Sequence, residues 1–235
     1  QVVAKTFELG ASGQHRSGGW AIDWLASAYR ATNTNDIQFV ASSTRGRGFF
    51  RNIGETRRQG FEASLRARHG GFQLGASYAF IDATFRLPVT LSSPANPEAN
   101  DEGEIDVAAG DRLTGIPRHS ATFTADYEGT IGTRAFAIGG DMIARSSQLL
   151  VGDEANRNPK VPGYVVFNLR GRVEMVKGVA LFGEVRNLFD RDYETFGTFS
   201  EVDEVDLAEA PDASDPRALG PGAPRRFTVG IAARF

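Results

Sequence analysis

Apolar and polar residues alternate with period two along most of this 235-residue chain. In Tyr164–Met175, Val165, Phe167, Leu169, Gly171, Val173 and Met175 share one parity, and Val166, Asn168, Arg170, Arg172 and Glu174 share the other. Arg226–Phe235 divides in the same way into Phe227, Val229, Ile231, Ala233 and Phe235 against Arg226, Thr228, Gly230, Ala232 and Arg234. The scheme recurs in Arg58–Arg68, Phe72–Phe80, Ser120–Tyr127 and Phe136–Arg145, and less cleanly in Val179–Arg186, Ile22–Tyr29 and Phe7–Ser12. Successive side chains of a strand point to opposite faces, so this period predicts nine β-strands. The 3.6-residue period of an amphipathic helix is nowhere convincing. The middles of the strands carry no charge on the apolar parity. The other parity collects Glu8, Asp23, Glu62, Arg66, Asp126, Asp141, Arg145, Arg170, Arg172, Glu174, Glu184, Arg186 and Arg234.

Alternation by itself fits two architectures. A soluble sandwich buries the apolar face and wets the charged one, whereas a membrane barrel turns the apolar face to lipid. The connections favour the barrel. Short glycine-containing links (15–19, 69–71, 129–133, 176–178) alternate with longer ones (about 32–56, 87–116, 149–163 and 194–224). Every second hairpin therefore opens on the same side, the layout of transmembrane barrels with short periplasmic turns and long extracellular loops. Trp20, Tyr29, Tyr127, Tyr164, Tyr193 and Phe196 fall near strand ends, where interfacial aromatic girdles are expected.

Composition changes this picture in two respects. A mean hydropathy of −0.28 reads as soluble, but a barrel hides its apolar surface in alternate residues. The absence of cysteine removes disulfides, thiolate metal sites and cysteine nucleophiles, and three scattered histidines (His15, His69, His119) offer little for a metal centre. No cofactor and no nucleic-acid partner is expected. The net charge of −3 conceals a segregation, because 98–111 holds six acids and 201–215 seven, with no base in either. Both stretches lack a hydrophobic period and are expected to be solvated loops; the alternative is a weak divalent-cation site, although neither matches EF-hand spacing. The start, Gln1-Val2-Val3-Ala4-Lys5, has no signal-peptide pattern, so a longer or processed protein is expected.

Several stretches resemble the C-terminal part of TonB-dependent outer-membrane receptors. They are Asn52-Ile53-Gly54-Glu55-Thr56-Arg57-Arg58-Gln59-Gly60-Phe61-Glu62, Pro162-Gly163-Tyr164, Glu184 through Asn187-Leu188-Phe189-Asp190 to Tyr193, and Pro221-Gly222-Ala223-Pro224-Arg225-Arg226-Phe227 running to Phe235. The resemblance extends over essentially the whole chain. It implies an all-β transmembrane antiparallel barrel, with these nine strands the last of 22, and a plug domain absent from this chain. It further implies energy from the TonB–ExbB–ExbD complex, import of a scarce nutrient such as a ferric siderophore, and residence in the bacterial outer membrane. Partners would be the rest of the barrel and plug, outer-membrane lipid and lipopolysaccharide, and the assembly machinery, for which Phe235 has the position of the terminal aromatic signal.

Nine strands cannot close a bacterial barrel with both ends on one side, and open edges in lipid leave unpaired backbone groups, so a fragment of a larger barrel is expected. On that reading Arg145, Arg170, Arg172, Glu174, Glu184 and Arg186 face the lumen or plug. The basic, aromatic stretch Arg45, Arg47, Phe49, Phe50 and Arg51 is the candidate for ligand capture, because guanidinium groups suit carboxylates and phosphates. Catalysis is not expected: His119-Ser120 lacks a G-x-S-x-G context and a second nearby histidine. The alternatives in function are a passive porin or translocator barrel, and a receptor for cobalamin, haem or an oligosaccharide.

Overall fold

The structure, a computed structural model, describes residues 1–42, 44, 47–200, 202 and 214–234. Arg45, Phe235 and most of the acidic stretch 201–215 lie outside the described residues. Nine strands form one antiparallel sheet: β1 (Val3–Ser17), β2 (Trp20–Ala41), β3 (Gly48–His69), β4 (Phe72–Phe85), β7 (His119–Ile131), β8 (Arg134–Arg145), β9 (Tyr164–Val176), β10 (Val179–Arg186) and β13 (Arg226–Ala233), in that order. Two small ribbons accompany it, β5 (Val89–Ser92) with β6 (Glu104–Val107), and β11 (Glu194–Phe199) with β12 (Arg217–Pro221).

Register joins the predicted parities into two continuous faces, because residues directly opposite in an antiparallel pair share a side. One row runs Trp24, Leu65, Ala76, Phe123, Met142, Phe167 from β2 to β9. A second runs Ile138, Gly171, Gly183, Val229 from β8 to β13. The apolar face is largely solvent-accessible in this sheet, with Leu9 81 %, Val229 75 % and Ile231 72 % exposed. Such a surface is far too large for water and calls for lipid.

Four hairpins turn at one end of the sheet, each through a two-residue link: 18–19, 70–71, 132–133 and 177–178. Gly18 and Gly19 adopt φ of +56° and +80°, the left-handed pair that a type I′ hairpin needs and that side chains resist. Aromatic residues mark this rim on the apolar face: Trp20 stacks on His69 at 4.8 Å, and Tyr127 packs against Phe72 at 4.5 Å and Phe136 at 5.8 Å. The opposite rim carries Phe61, Tyr78, Phe80 and His119, with the Tyr78 hydroxyl 2.7 Å from His119 Nδ1. At ~3.3 Å per residue and a tilt of about 40°, the eight steps from Phe72 to Phe80 span roughly 20 Å, close to the apolar height of outer-membrane barrels. Tyr29 and Tyr164 do not join these girdles. Their register partners Gly60 and Arg145 lie on the charged parity, so both point to the other face.

The far side of the sheet differs from the loops expected there. The segment 32–56 is mostly strand, because β2 and β3 continue as a paired hairpin whose tip is only 42–47. The pairing survives two register shifts near Asp36, where Asn35 (φ +55°) and Gly54 (φ +79°) absorb the irregularity. The acidic stretch 98–111 likewise contains β6, and Ile105 and Val107 are 2 % exposed within a core. Four residues between acidic flanks are too short for alternation to announce a strand, and β11 and β12 lie unannounced within 194–224 for the same reason.

That core lies at the loop end of the sheet. Val40, Ile53, Ala83, Phe85, Leu91, Ile105, Val107, Leu113 and Ala155 pack together, and Phe85 and Leu91 are wholly inaccessible. Ala83 and Phe85 share the parity that lower down carries the charged face of β4, while Asp82 and Thr84 take the parity of Phe80. The faces thus exchange chemistry just beyond the second aromatic rim.

Candidate functional site: loop layer and charged face

The long connections are tied together by buried polar side chains. Glu154 is 4 % exposed, and its Oε1 accepts hydrogen bonds from Gln38 Nε2 on the β2–β3 hairpin (2.8 Å), from Thr114 Oγ1 (3.0 Å) and from its neighbour Gly152 N (3.3 Å). Burial pushes its carboxyl above the usual range, against the pull of these donors. Asn156, at φ +59°, accepts from Arg112 N and donates to Arg112 O and Glu154 O. Ser93 Oγ and Asn96 Nδ2 both donate to the Gly152 carbonyl at 2.7 Å. Asp153, fully buried, receives Arg157 N, Asn158 N and Asn158 Nδ2. Sequence reading passed over Gln38 and 153–158; the clustered Asp and Asn residues after Gly152, each suited to short-range turns, were the available signal.

Beside this layer lies a cleft of about 560 Å³, within the usual range for small-molecule sites. Phe39, Val40 and Phe199 supply apolar wall, Ser92 and Arg47 supply donors, and Glu154 stands at its edge. Of the expected capture residues, Arg47 lines the cleft. Phe50 packs edge-on against the cleft residue Phe39 at 5.5 Å and is 75 % exposed. Phe49 and Arg51 stand on the same strand opposite Val40 and Gln38, outside the lining. Arg47 beside these phenylalanine rings can pair with an anionic group.

The charged face gathers its residues along the strands. Arg170 donates to Asp126 at 2.5 Å and to Asp141 at 3.1 Å, spanning two strands. Gly139 lies between Arg170 and Asp126 in the register, and a Cβ there would fall on the Asp126 carboxylate. The missing side chain is what lets the ion pair close over β8. Arg186 pairs with Glu184 at 2.7 Å, and Glu184 stands opposite Arg170. Arg145 donates to the Ala121 and Ala144 carbonyls. Arg172 stands opposite Ala137 and Phe182. Glu174 is on the same face but accepts from Gly178 N, so it serves the adjacent turn. His119 Nδ1 meets Tyr78 rather than Ser120.

Three of the four stretches that carry the resemblance converge at the end of β10, while Asn52–Glu62 lies apart on β3. Asn187, buried at φ +49°, donates to the Arg191 and Ala223 carbonyls and accepts Arg191 N. The Asp190 carboxylate takes both the backbone N–H and the guanidinium of Arg225. The Tyr193 ring packs against Gly222, where a Cβ would meet it at 2.3 Å, and lies 4.6 Å from Tyr164. Asn-Leu-Phe-Asp, the following tyrosine, Pro-Gly-Tyr and Pro-Gly-x-Pro-Arg are one clasp joining the exit of β10 to the entry of β13.

The family model "TonB dependent receptor-like, beta-barrel" matches residues 2–188. A metal-pseudopaline receptor of Pseudomonas aeruginosa is 28 % identical over 147 residues, 62 % of this chain and 18 % of its own. Among solved structures, the siderophore receptor PiuA from Acinetobacter baumannii superposes with a TM-score of 0.68 at 19 % identity, over 98 % of this chain and 28 % of that one. The copper transporter OprC gives 0.64 at 20 % identity, over 99 % and 31 %. The ferric yersiniabactin uptake receptor FyuA from Yersinia pestis gives 0.66 at 15 %, over 97 % and 29 %. The chain therefore spans less than a third of the length of these relatives. A lipid-ready nine-stranded wall, the clasp and the matched residues agree: the chain belongs to the family of TonB-dependent receptor β-barrels.

Proposed function

We propose that this chain is part of the wall and loop layer of an outer-membrane importer that takes up a chelated metal, a ferric siderophore foremost, with energy from TonB–ExbB–ExbD. The observation that carries the reading is the pairing of one face that is free of charge between the aromatic rims, across all nine strands, with a packed loop layer and cleft at one end. Such a wall separates lipid from an enclosed interior, and the cleft with Arg47, Phe39 and Phe199 would meet cargo from outside. The remaining strands and a plug would be supplied by other parts of the complete receptor, the plug docking against Arg145, Arg170, Arg172, Glu184 and Arg186. Arg45 and Phe235 keep their proposed roles in capture and in assembly.

The cargo class is drawn from the relatives: siderophore receptors support a ferric chelate, while the metal-pseudopaline receptor and the copper transporter support another chelated metal as the second reading. The test is uptake of radiolabelled ferric and non-ferric chelates by cells expressing the complete receptor, with and without TonB. TonB-dependent accumulation of one chelate is expected. Uptake that persists undiminished without TonB would overturn the active-import reading in favour of a passive barrel. Arg47→Ala is expected to weaken binding of the transported chelate several-fold.

A further inference from the structure

Glu154 does two things at once: it ties the loop layer together and it lines the cleft. Its donors are an amide, a hydroxyl and a backbone N–H, all neutral, and no ion pair joins it to a described residue. All of these bonds fall on Oε1. Oε2 accepts none from a described residue, yet it is not one of the buried polar atoms left without a partner, so it opens on the cleft. Buried carboxylates are ordinarily neutralised by a cation, and burial holds this one above the usual range.

Arg47 is the other charged residue in the described lining. It stands at the tip of the β2–β3 hairpin, where Ser42 N donates to its carbonyl at 3.0 Å and its own N–H donates to Thr44 O at 3.2 Å. The same hairpin carries Gln38, the amide that donates to Glu154, so one frame sets both charged ends of the cleft. The two side chains form no ion pair with each other, which leaves the guanidinium and the carboxylate each free to meet a ligand. Phe39, Val40 and Phe199 share the lining with them.

We infer that the cleft takes a zwitterionic ligand: an ammonium group meets Glu154 Oε2, a carboxylate meets Arg47, and the apolar body lies along Phe39, Val40 and Phe199. An ammonium suits Glu154 because it brings its own donors and needs only one free oxygen. A bare metal ion needs about six oxygens, and the neighbouring Gly152 carbonyl is already held by Ser93 Oγ and Asn96 Nδ2. The apolar walls exclude water and strengthen both charged contacts. The inference rests on the import reading for the ligand's being cargo, and it narrows that cargo to a chelate presenting a free amine and a free carboxylate at its edge.

The test uses the complete receptor in lipid nanodiscs and saturation-transfer NMR. The probes are unbranched ω-amino acids of four to six carbons, the carboxylates and alkylammonium ions of the same lengths, and calcium chloride as a competitor. The best ω-amino acid is expected to bind about tenfold more tightly than either singly charged probe of its length, the scale of one charge-assisted hydrogen bond. Glu154→Gln, which keeps the Oε1 acceptor, and Arg47→Gln, at an exposed position, are each expected to abolish that preference, while Arg134→Gln at the other rim matches wild type. Arg47→Gln decides the matter if the Glu154 variant does not fold. Absence of ω-amino acid binding, equal binding of the three classes, or a preference that survives in either cleft variant overturns the proposal. Displacement of the ω-amino acid by calcium in wild type but not in Glu154→Gln would assign the carboxylate to a metal ion and overturn it as well. Chelate uptake in the same strains separates the two readings. TonB-dependent uptake without zwitterion preference defeats this inference alone, and zwitterion preference with TonB-independent uptake defeats active import alone.

Discussion

Two regions of the same sheet solve opposite problems. Between the aromatic rims, β4 turns Leu74, Ala76 and Tyr78 outward and Gln73, Gly75 and Ser77 to the other face. Beyond the second rim the same strand turns Asp82 and Thr84 outward and buries Ala83 and Phe85. The inversion teaches that polarity along a strand reports the solvent at each height. Lipid outside demands an apolar surface there, whereas the loop layer, with water outside, packs its apolar residues against one another.

The largest way to break the comparison is to hollow the loop core. Phe85→Ala is expected to cost about 3–5 kcal/mol of local stability, the usual scale for a buried aromatic. Hydrogen exchange in the complete receptor should accelerate across 81–116 while the lower strands stay protected; uniform protection would mean that this core does not hold the layer. Next comes a charge on the lipid face. Leu169→Arg is expected to cost about 2–4 kcal/mol in refolding into lipid vesicles, whereas the same change on the charged face, at Ser64, should cost much less. Equal costs at the two sites would contradict the assignment of faces.

A smaller effect is expected from Gly139→Ala. The added methyl displaces the Asp126 carboxylate and opens its pair with Arg170, and because that pair is partly exposed the loss should be about 1 kcal/mol or less. In an Asp126→Asn background, where the pair is already broken, Gly139→Ala should cost less than it does in wild type. The smallest effect concerns pH. Since burial raises the Glu154 carboxyl in the folded layer, its favourable contribution is fully present below the ordinary value of 4.5 and is lost as pH rises through the raised one. Exchange protection at 36–41 and 150–156, corrected for intrinsic rates, should therefore decline over that window in wild type and stay flat in Glu154→Gln. A decline of equal size in the variant would assign the pH dependence to another group.

Much of the wall was legible because lipid imposes a strict rule. Phe167, Leu169 and Val173 must alternate with Asn168, Arg170 and Arg172 over enough residues for period two to stand out, and glycine-marked turns separate the runs. The clasp was legible only as a motif. Asn187, Asp190 and Tyr193 are distinctive in sequence, but their partners Gly222, Ala223 and Arg225 come from the far side of a long connection. The loop layer was least legible. Leu91, Ile105 and Val107 belong to four-residue strands in polar surroundings, and the hairpin beyond Thr32 reads as a loop because its inner residues no longer alternate in the membrane pattern.

The sequence by itself determined the period, the number of sheet strands, the two parities and the turn side, since each follows from local backbone geometry and from a solvent that tolerates no error. Tertiary structure alone decided which residues stand in one row across strands. Arg57, Thr84 and Arg112, or Arg170, Gly139 and Asp126, become neighbours only through register, and register is a property of paired chains rather than of any one segment. The loop core and its buried Glu154 arose the same way, from distant short stretches that gain stability only when packed together.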